Sequence, residues 1–291
     1  MSPNVALIGP GAIGGTLAAW LAQRGDLDLT VCARTPFETL TVETPDGEIS
    51  ARPKIATSPR GLSPVDWVLV ATKAYDDAGA APWLAALVGP RTRVAVIRNG
   101  VEHREAFAGR VDAANLLPVI VDFPAERSAP GVFRQRRYGW IRVPEGEAGK
   151  AFAALFAGCP IDVGTTDDFV SVAWRKLALN AAGAVNAMTL KPSGVAHDPG
   201  AAQVMKALVA ECVAVGRAEG ATLADDLGDQ VVNGYRAGPS DLVNSLLADR
   251  QAGRPMELDA RNGVIVRRGA AHGIPTPANA MIVALLNAAA G

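Results

Sequence analysis

The sequence is poor in cysteine, in aromatic residues and in any excess of charge. Cys32, Cys159 and Cys212 are odd in number, far apart and without CxxC or Cys/His spacing. That pattern excludes a disulfide scaffold and a zinc site, so no metal and a reducing, cytoplasmic setting are expected. The 28 Lys+Arg against 29 Asp+Glu leave a net charge of -1, so no basic surface calls for nucleic acid or anionic lipid. His103, His197 and His272 are scattered, and His272 reads as a helix end, where the last carbonyls favour it. The one long uncharged stretch, Val5 to Gln23, is broken by Gly9, Pro10, Gly11, Gly14 and Gly15. No basic segment precedes it, so neither a signal peptide nor a membrane span is expected.

What is present is core material: 49% of 291 residues are hydrophobic, enough for one large or two ordinary domains and too much for disorder. Short runs in the first half, Val5 to Ile8, Leu29 to Ala33, Trp67 to Ala71 and Val94 to Ile97, are apolar on both faces, as buried parallel strands are. Between the first two, Ile13, Leu17, Trp20 and Leu21 recur at helical spacing. Leu116 to Val121 and Tyr138 to Val143 extend the β-rich part. Beyond Asp168 the texture becomes Ala/Leu/Arg/Glu-rich and helical. The fold class expected is α/β followed by all-α: a doubly wound domain over 1–166 and a helical domain over 167–291. The boundary is set in Gly164-Thr165-Thr166-Asp167-Asp168, whose polar residues also suit a helix N-cap.

Gly9-Pro10-Gly11-Ala12-Ile13-Gly14 matches GxGxxG between a strand and a helix. There the glycines make a tight turn, admit a pyrophosphate and let helix pack on strand, while the helix N-terminus offers N–H groups to the phosphates. The first domain is therefore of Rossmann type; a ligand-free glycine turn is the plainer alternative. At the end of the second strand stands Arg34, which suits the 2′-phosphate of NADP; Asp28 lies at the wrong end of that strand. Lys73 and Asn99 follow the third and fourth strands, at the same carboxyl rim where ligands of open α/β sheets bind.

In the second half Lys176 and Asn180 share one helical face in Trp174-Arg175-Lys176-Leu177-Ala178-Leu179-Asn180. A lysine in so apolar a segment either snorkels to solvent or faces a cleft. Ser245 to Asp249 and Glu257 to Gly263 are further polar runs, for which a solvated helix face is the plain reading.

Together these motifs resemble those of the ketopantoate reductase (2-dehydropantoate 2-reductase) family along essentially the whole chain: GPGAIG, Arg34, Lys73 in ATKA, Asn99 in RNG, Lys176 and Asn180 in WRKLALN, Ser245 and Asp249 in NSLLAD, Glu257 in GRPMELD, and Asn262-Gly263. The resemblance implies NADP(H) held by Gly9, Gly11, Ala12, Ile13, Gly14 and Arg34, with Lys73 beside the adenosine end and Asn99 near the nicotinamide ribose and substrate. It implies Lys176 as general acid, Glu257 holding the substrate hydroxyl or orienting the acid, and Asn180 and Ser245 bonding substrate. Two positions depart from the family pattern: Ala184 occupies the slot of a second asparagine, which Asn186 could replace if the helix is locally rearranged, and Asn244 replaces the first of a Ser-Ser pair.

The function expected is NADPH-dependent reduction of a small 2-oxo acid, 2-dehydropantoate first, to pantoate in pantothenate biosynthesis. Lysine, protonated at neutral pH with a reference pKa of about 10.4, supplies both the cation and the proton that a ketone oxygen gaining negative charge requires. The alternatives are a reductase of another oxo acid or an imine on the same fold, and a non-catalytic NADPH sensor. The apolar run Pro277 to Gly291 reads as a packed terminal helix, covered by its own domain or by a second subunit in a homodimer.

Overall fold

Strands that are apolar on both faces need cover on both sides, and the chain supplies it. A computed structural model describes residues 2–290. The first part runs β1 (Asn4–Ile8), α1 (Ala12–Ala22), β2 (Asp28–Cys32), β3 (Leu40–Thr44), β4 (Gly47–Ala51), β5 (Lys54–Ala56), β6 (Trp67–Val70), α2 (Asp77–Leu87), β7 (Arg93–Ile97), β8 (Leu116–Asp122), β9 (Ala125–Ala129), β10 (Val132–Gln135), β11 (Trp140–Pro144), α3 (Glu147–Leu155) and β12 (Asp162–Thr166). The main sheet has eight strands in the order β12-β11-β8-β7-β6-β1-β2-β5. All its pairs are parallel except β8 with β11. Strand order reverses beside β1, with β2 and β5 to one side and β6, β7 and β8 to the other. A doubly wound sheet binds its ligand outside the carboxyl ends at this switch point.

Alternation along β1 divides the core. Val5 and Leu7 pack with Leu17 and Leu21 of α1, while Ala6 and Ile8 pack with Trp83, Leu84 and Leu87 of α2. The central strands β1, β6, β7 and β8 are thus a buried layer, as the apolar runs led us to expect, while the edge strands β5 and β12 are only partly covered.

A second sheet, β4-β3-β10-β9, was not foreseen. Its strands are short and carry exposed Glu43, Arg127 and Arg134, so they lack the apolar runs that mark the main sheet. Phe133 of β10 lies against α1 at Gly15, where a Cβ would come within 2.1 Å of the ring. The polar pentad expected as a link is divided: Gly164, Thr165 and Thr166 end the edge strand β12, and Asp168 caps the next helix.

From there the described chain is helical: α4 (Phe169–Ala182), α5 (Ala184–Thr189), α6 (Pro199–Ala218), α7 (Leu227–Ala237), α8 (Ser245–Gln251), α9 (Val264–Ala271) and α10 (Pro277–Ala290). Asp168 accepts a hydrogen bond from the Ser171 N–H at 3.1 Å, and Asp198 one from Ala201 at 2.8 Å. These satisfy N–H groups left over at the helix starts. Trp174, Leu177, Met205, Leu208, Val209 and Cys212 fill the centre of this part. One turn of π-helix, Asp259–Gly263, leads directly into α9. In α10 Ile282 and Leu286 are buried, but Met281 and Leu285 are 63% and 45% exposed, so the terminal helix is packed on one side only; Gly291 lies outside the described residues.

The chain divides into two compact units. One holds the residues up to Arg98 with Glu102–Asp167; the other holds Asn99–Val101 with the residues from Asp168 onward.

Candidate active site

In the first unit, the turn after β1 is shaped by close approach. Gly9 has φ +85, and a Cβ there would fall 2.9 Å from Thr72, in the loop after β6. A Cβ on Gly14 would fall 2.3 Å from the Gly9 carbonyl oxygen and 2.9 Å from Ala71 Cβ. Both positions therefore need glycine to hold helix against strand. Gly11 is different: no atom lies within 4 Å of its Cβ position. It caps α1 without a side-chain hydrogen bond, so the first-turn N–H groups, which have no intrahelical partner, are offered to a ligand. Open space at the middle glycine above an uncapped helix start is what a pyrophosphate requires, and the turn fits a dinucleotide.

Arg34 stands two positions past the end of β2, its side chain 83% exposed, with Nη2 3.1 Å from Oδ2 of Asp76. Lys73 is half-buried and opens the short 3-10 turn Ala74–Asp76. Cys32, at the end of β2, is buried, which pushes its thiol up to about 12.

In the second unit, three residues from distant parts of the sequence meet. Asn180 Nδ2 donates to Asn99 Oδ1 at 3.2 Å, and Asn99 Nδ2 donates to Glu257 Oε2 at 3.2 Å. Asn180 and Glu257 are buried. Gly100 permits the approach: with φ +93 it lies where a Cβ would come within 2.5 Å of the Ala260 carbonyl oxygen. Lys176, half-buried, stands one turn before Asn180 on α4.

Two polar runs for which a solvated face was the plain reading are mostly inside. Asp249, Glu257, Arg261 and Asn262 are all buried. Arg261 is the group that sequence reasoning missed. Its Nη2 donates to the Asn180 carbonyl at 2.8 Å, and its Nη1 reaches Ser245 Oγ at 3.4 Å. Burial pulls its guanidinium below the ordinary arginine range, against the opposing pull of Tyr235, Glu257 and Asp249. Asn262 Nδ2 bonds the Ala181 carbonyl and Asn279 Oδ1, tying the π turn to α4 and α10. A π turn widens the helix locally and often marks a functional position; here it brings Arg261 and Asn262 to the carbonyl end of α4.

The departures from the family pattern also have physical accounts. The helix is locally interrupted at Gly183, and Ala184 begins α5, fully buried. Asn244 caps α8 by accepting from Leu247 N–H at 3.0 Å, and it donates to the Gly183 carbonyl at 3.0 Å. Asn186, expected to contact substrate, lies in α5. That side chain is 0% exposed and its Nδ2 donates to the Lys191 carbonyl, closing the turn after α5.

Comparison with known proteins gives the family. A profile described as "Ketopantoate reductase PanE/ApbA" matches residues 5–148, and its C-terminal counterpart matches residues 168–290. The chain belongs to the ketopantoate reductase family. It is 69% identical to a 2-dehydropantoate 2-reductase of Caulobacter vibrioides over 99% of both chains. It is 40% identical to a 2-dehydropantoate 2-reductase of Mycobacterium tuberculosis, over 99% of this chain and 98% of that one. The crystal structure of a PanE/ApbA family ketopantoate reductase from Ralstonia eutropha is similar at a TM-score of 0.90 and 30% identity, covering 99% of this chain and 98% of the other. A ketopantoate reductase is a nicotinamide-dependent oxidoreductase, and this chain is an enzyme of that kind. Among the described residues no helix is long and apolar enough to cross a membrane.

Proposed function

We propose that the protein is an NADPH-dependent 2-dehydropantoate 2-reductase, with residues 1–166 as the cofactor domain and 167–291 as the substrate domain. The observation that carries this reading is the part-buried Asn180–Asn99–Glu257 chain of hydrogen bonds, with Lys176 one turn before Asn180 on the same helix.

Gly9, Gly11, Ala12, Ile13 and Gly14 would hold the pyrophosphate, Arg34 the 2′-phosphate and Lys73 the adenosine end, with Asn99 toward the nicotinamide ribose. When bound, NADPH supplies the hydride equivalent that reduces the ketone carbon. Lys176 donates its proton to the ketone oxygen as negative charge develops there, and regains one from water; help of this kind is worth about 10²–10⁴ in rate. Glu257, fixed by Asn99, accepts from the hydroxyl that forms. Asn180 and Ser245 orient the substrate. The product is a 2-hydroxy acid, and no proton-transfer step needs a metal.

The test is direct: purified protein is given 2-dehydropantoate with NADPH or NADH, and loss of the reduced cofactor is followed at neutral pH. Turnover with NADPH in preference to NADH is expected. Turnover only with another 2-oxo acid or an imine moves the substrate assignment. Cofactor binding without turnover of any such compound overturns the enzymatic reading in favour of a sensor.

A further inference from the structure

Arg261 is a buried cation without a carboxylate at hydrogen-bond distance. Among the described residues its hydrogen bonds go to two neutral oxygens, the Asn180 carbonyl at 2.8 Å and Ser245 Oγ at 3.4 Å, and its Nε is buried without a partner. Glu257 and Asp249 lie near enough to favour its charge, but Glu257 accepts from Asn99 and Asp249 pairs with Arg254 at 3.0 Å. An arginine kept this deep, 2% exposed, carries a desolvation cost that a neutral residue of its size would avoid. Its position therefore asks for a use of the charge.

Donor and acceptor chemistry supplies one. A guanidinium has five N–H donors and no acceptor, so the Ser245 oxygen can only accept from it. The Ser245 hydroxyl proton is then directed away from Arg261. Ser245 is exposed at the start of α8, so that proton is presented to solvent or to a bound ligand. An acceptor that is negatively charged gains most from a hydroxyl polarised by a cation behind it. Arg261 itself is 2% exposed, so its route to that ligand runs through Ser245.

We propose that Arg261 is a positioning residue that gives the site its preference for an anionic over a neutral ketone, acting through the Ser245 hydroxyl on the substrate carboxylate. The inference rests on the reading of the protein as a reductase of a 2-oxo acid, and it adds which of its residues senses the acid. The bond from Arg261 to the Asn180 carbonyl ties the same cation to the helix that carries Lys176, so the carboxylate end and the ketone end of the substrate are referred to one buried group.

The experiment compares kcat/KM for 2-dehydropantoate and for its neutral lactone, with NADPH, in the wild type, Ser245→Ala, Arg261→Gln, Arg261→Lys and the Ser245→Ala/Arg261→Gln double variant. Thermal melts check folding. The wild type should prefer the acid. Ser245→Ala and Arg261→Gln should each lower the acid value by about tenfold or more, the loss of one charge-assisted hydrogen bond, and lower the lactone value by much less. Arg261→Lys should restore part of the preference, and the double variant should be no worse than either single one, because the two act on one contact. Equal losses for acid and lactone in Arg261→Gln, or an unmoved ratio, overturn the proposal. Should Arg261→Gln not fold, Ser245→Ala and Arg261→Lys decide, and unmoved ratios in both overturn it. A wild type that ignores 2-dehydropantoate but reduces another 2-oxo acid in preference to its amide refutes the substrate named above, and the same ratio is then measured on that acid. A wild type that reduces acid and neutral ketone alike overturns the proposal.

Discussion

Asn99 and Glu257 are 158 positions apart and share a hydrogen bond of 3.2 Å, Nδ2 to Oε2. The asparagine also accepts from Asn180, so one amide fixes a buried carboxylate on one side and the lysine-bearing helix on the other. Asn99→Ala removes one donor from a buried carboxylate. The expected loss is about 1–3 kcal/mol in stability, read from denaturant unfolding, together with a fall in kcat/KM.

Lys176→Ala should lower kcat by about 10²–10⁴ with little change in NADPH affinity, since a general acid acts in the transition state. Cofactor titration by fluorescence and steady-state kinetics separate the two quantities. A parallel loss of cofactor binding would place the lysine elsewhere.

Arg34 and Asp76 form an exposed ion pair at 3.1 Å, so the carboxylate competes with the 2′-phosphate for the guanidinium. Arg34→Ala should weaken NADPH much more than NADH. Asp76→Asn should act in the opposite direction and tighten NADPH, by up to about fivefold at low salt, as befits an exposed pair. Binding isotherms for both cofactors at two salt concentrations check this.

The glycine turn offers a paired test. Gly14→Ala forces a Cβ to 2.3 Å from the Gly9 carbonyl and should cost about 1–3 kcal/mol of stability through overpacking. Gly11→Ala meets no atom within 4 Å, so its melting temperature should match the wild type while NADPH binding is lost. A Gly11→Ala protein that still binds NADPH would place the pyrophosphate elsewhere.

Burial pushes the Cys32 thiol up to about 12 and the Cys159 thiol up to about 11. A raised pKa keeps the thiol protonated until the solution pH approaches that value, and the thiolate is the reactive form. Alkylation of the folded protein at pH 8 should therefore be slow at both, and unfolding in denaturant should make them react at the rate of an ordinary cysteine.

Much of this protein was decided locally. Val5 to Ile8, the glycine turn and the helix after it are legible because strand, turn and helix each depend on neighbours a few positions away. The same holds for Arg34 at a strand end, for Lys176 and Asn180 on one helix face, and for Asp168 as a cap. The second sheet was not legible, because its short polar strands take their stability from pairing and from Phe133 on α1 rather than from their own pattern.

What only the tertiary structure decided is which polar residues are taken out of water. Nothing in Glu257 to Gly263 distinguishes a solvated face from a buried one, since burial depends on α4, α8 and the Asn99 segment arriving from elsewhere in the chain. Folding put Arg261 under Ser245 and Asn180, and buried Asn186 in α5 against the Lys191 carbonyl. Spacing along a helix sets which side chains share a face; whether that face meets water or another helix depends on the packing of segments far apart in sequence.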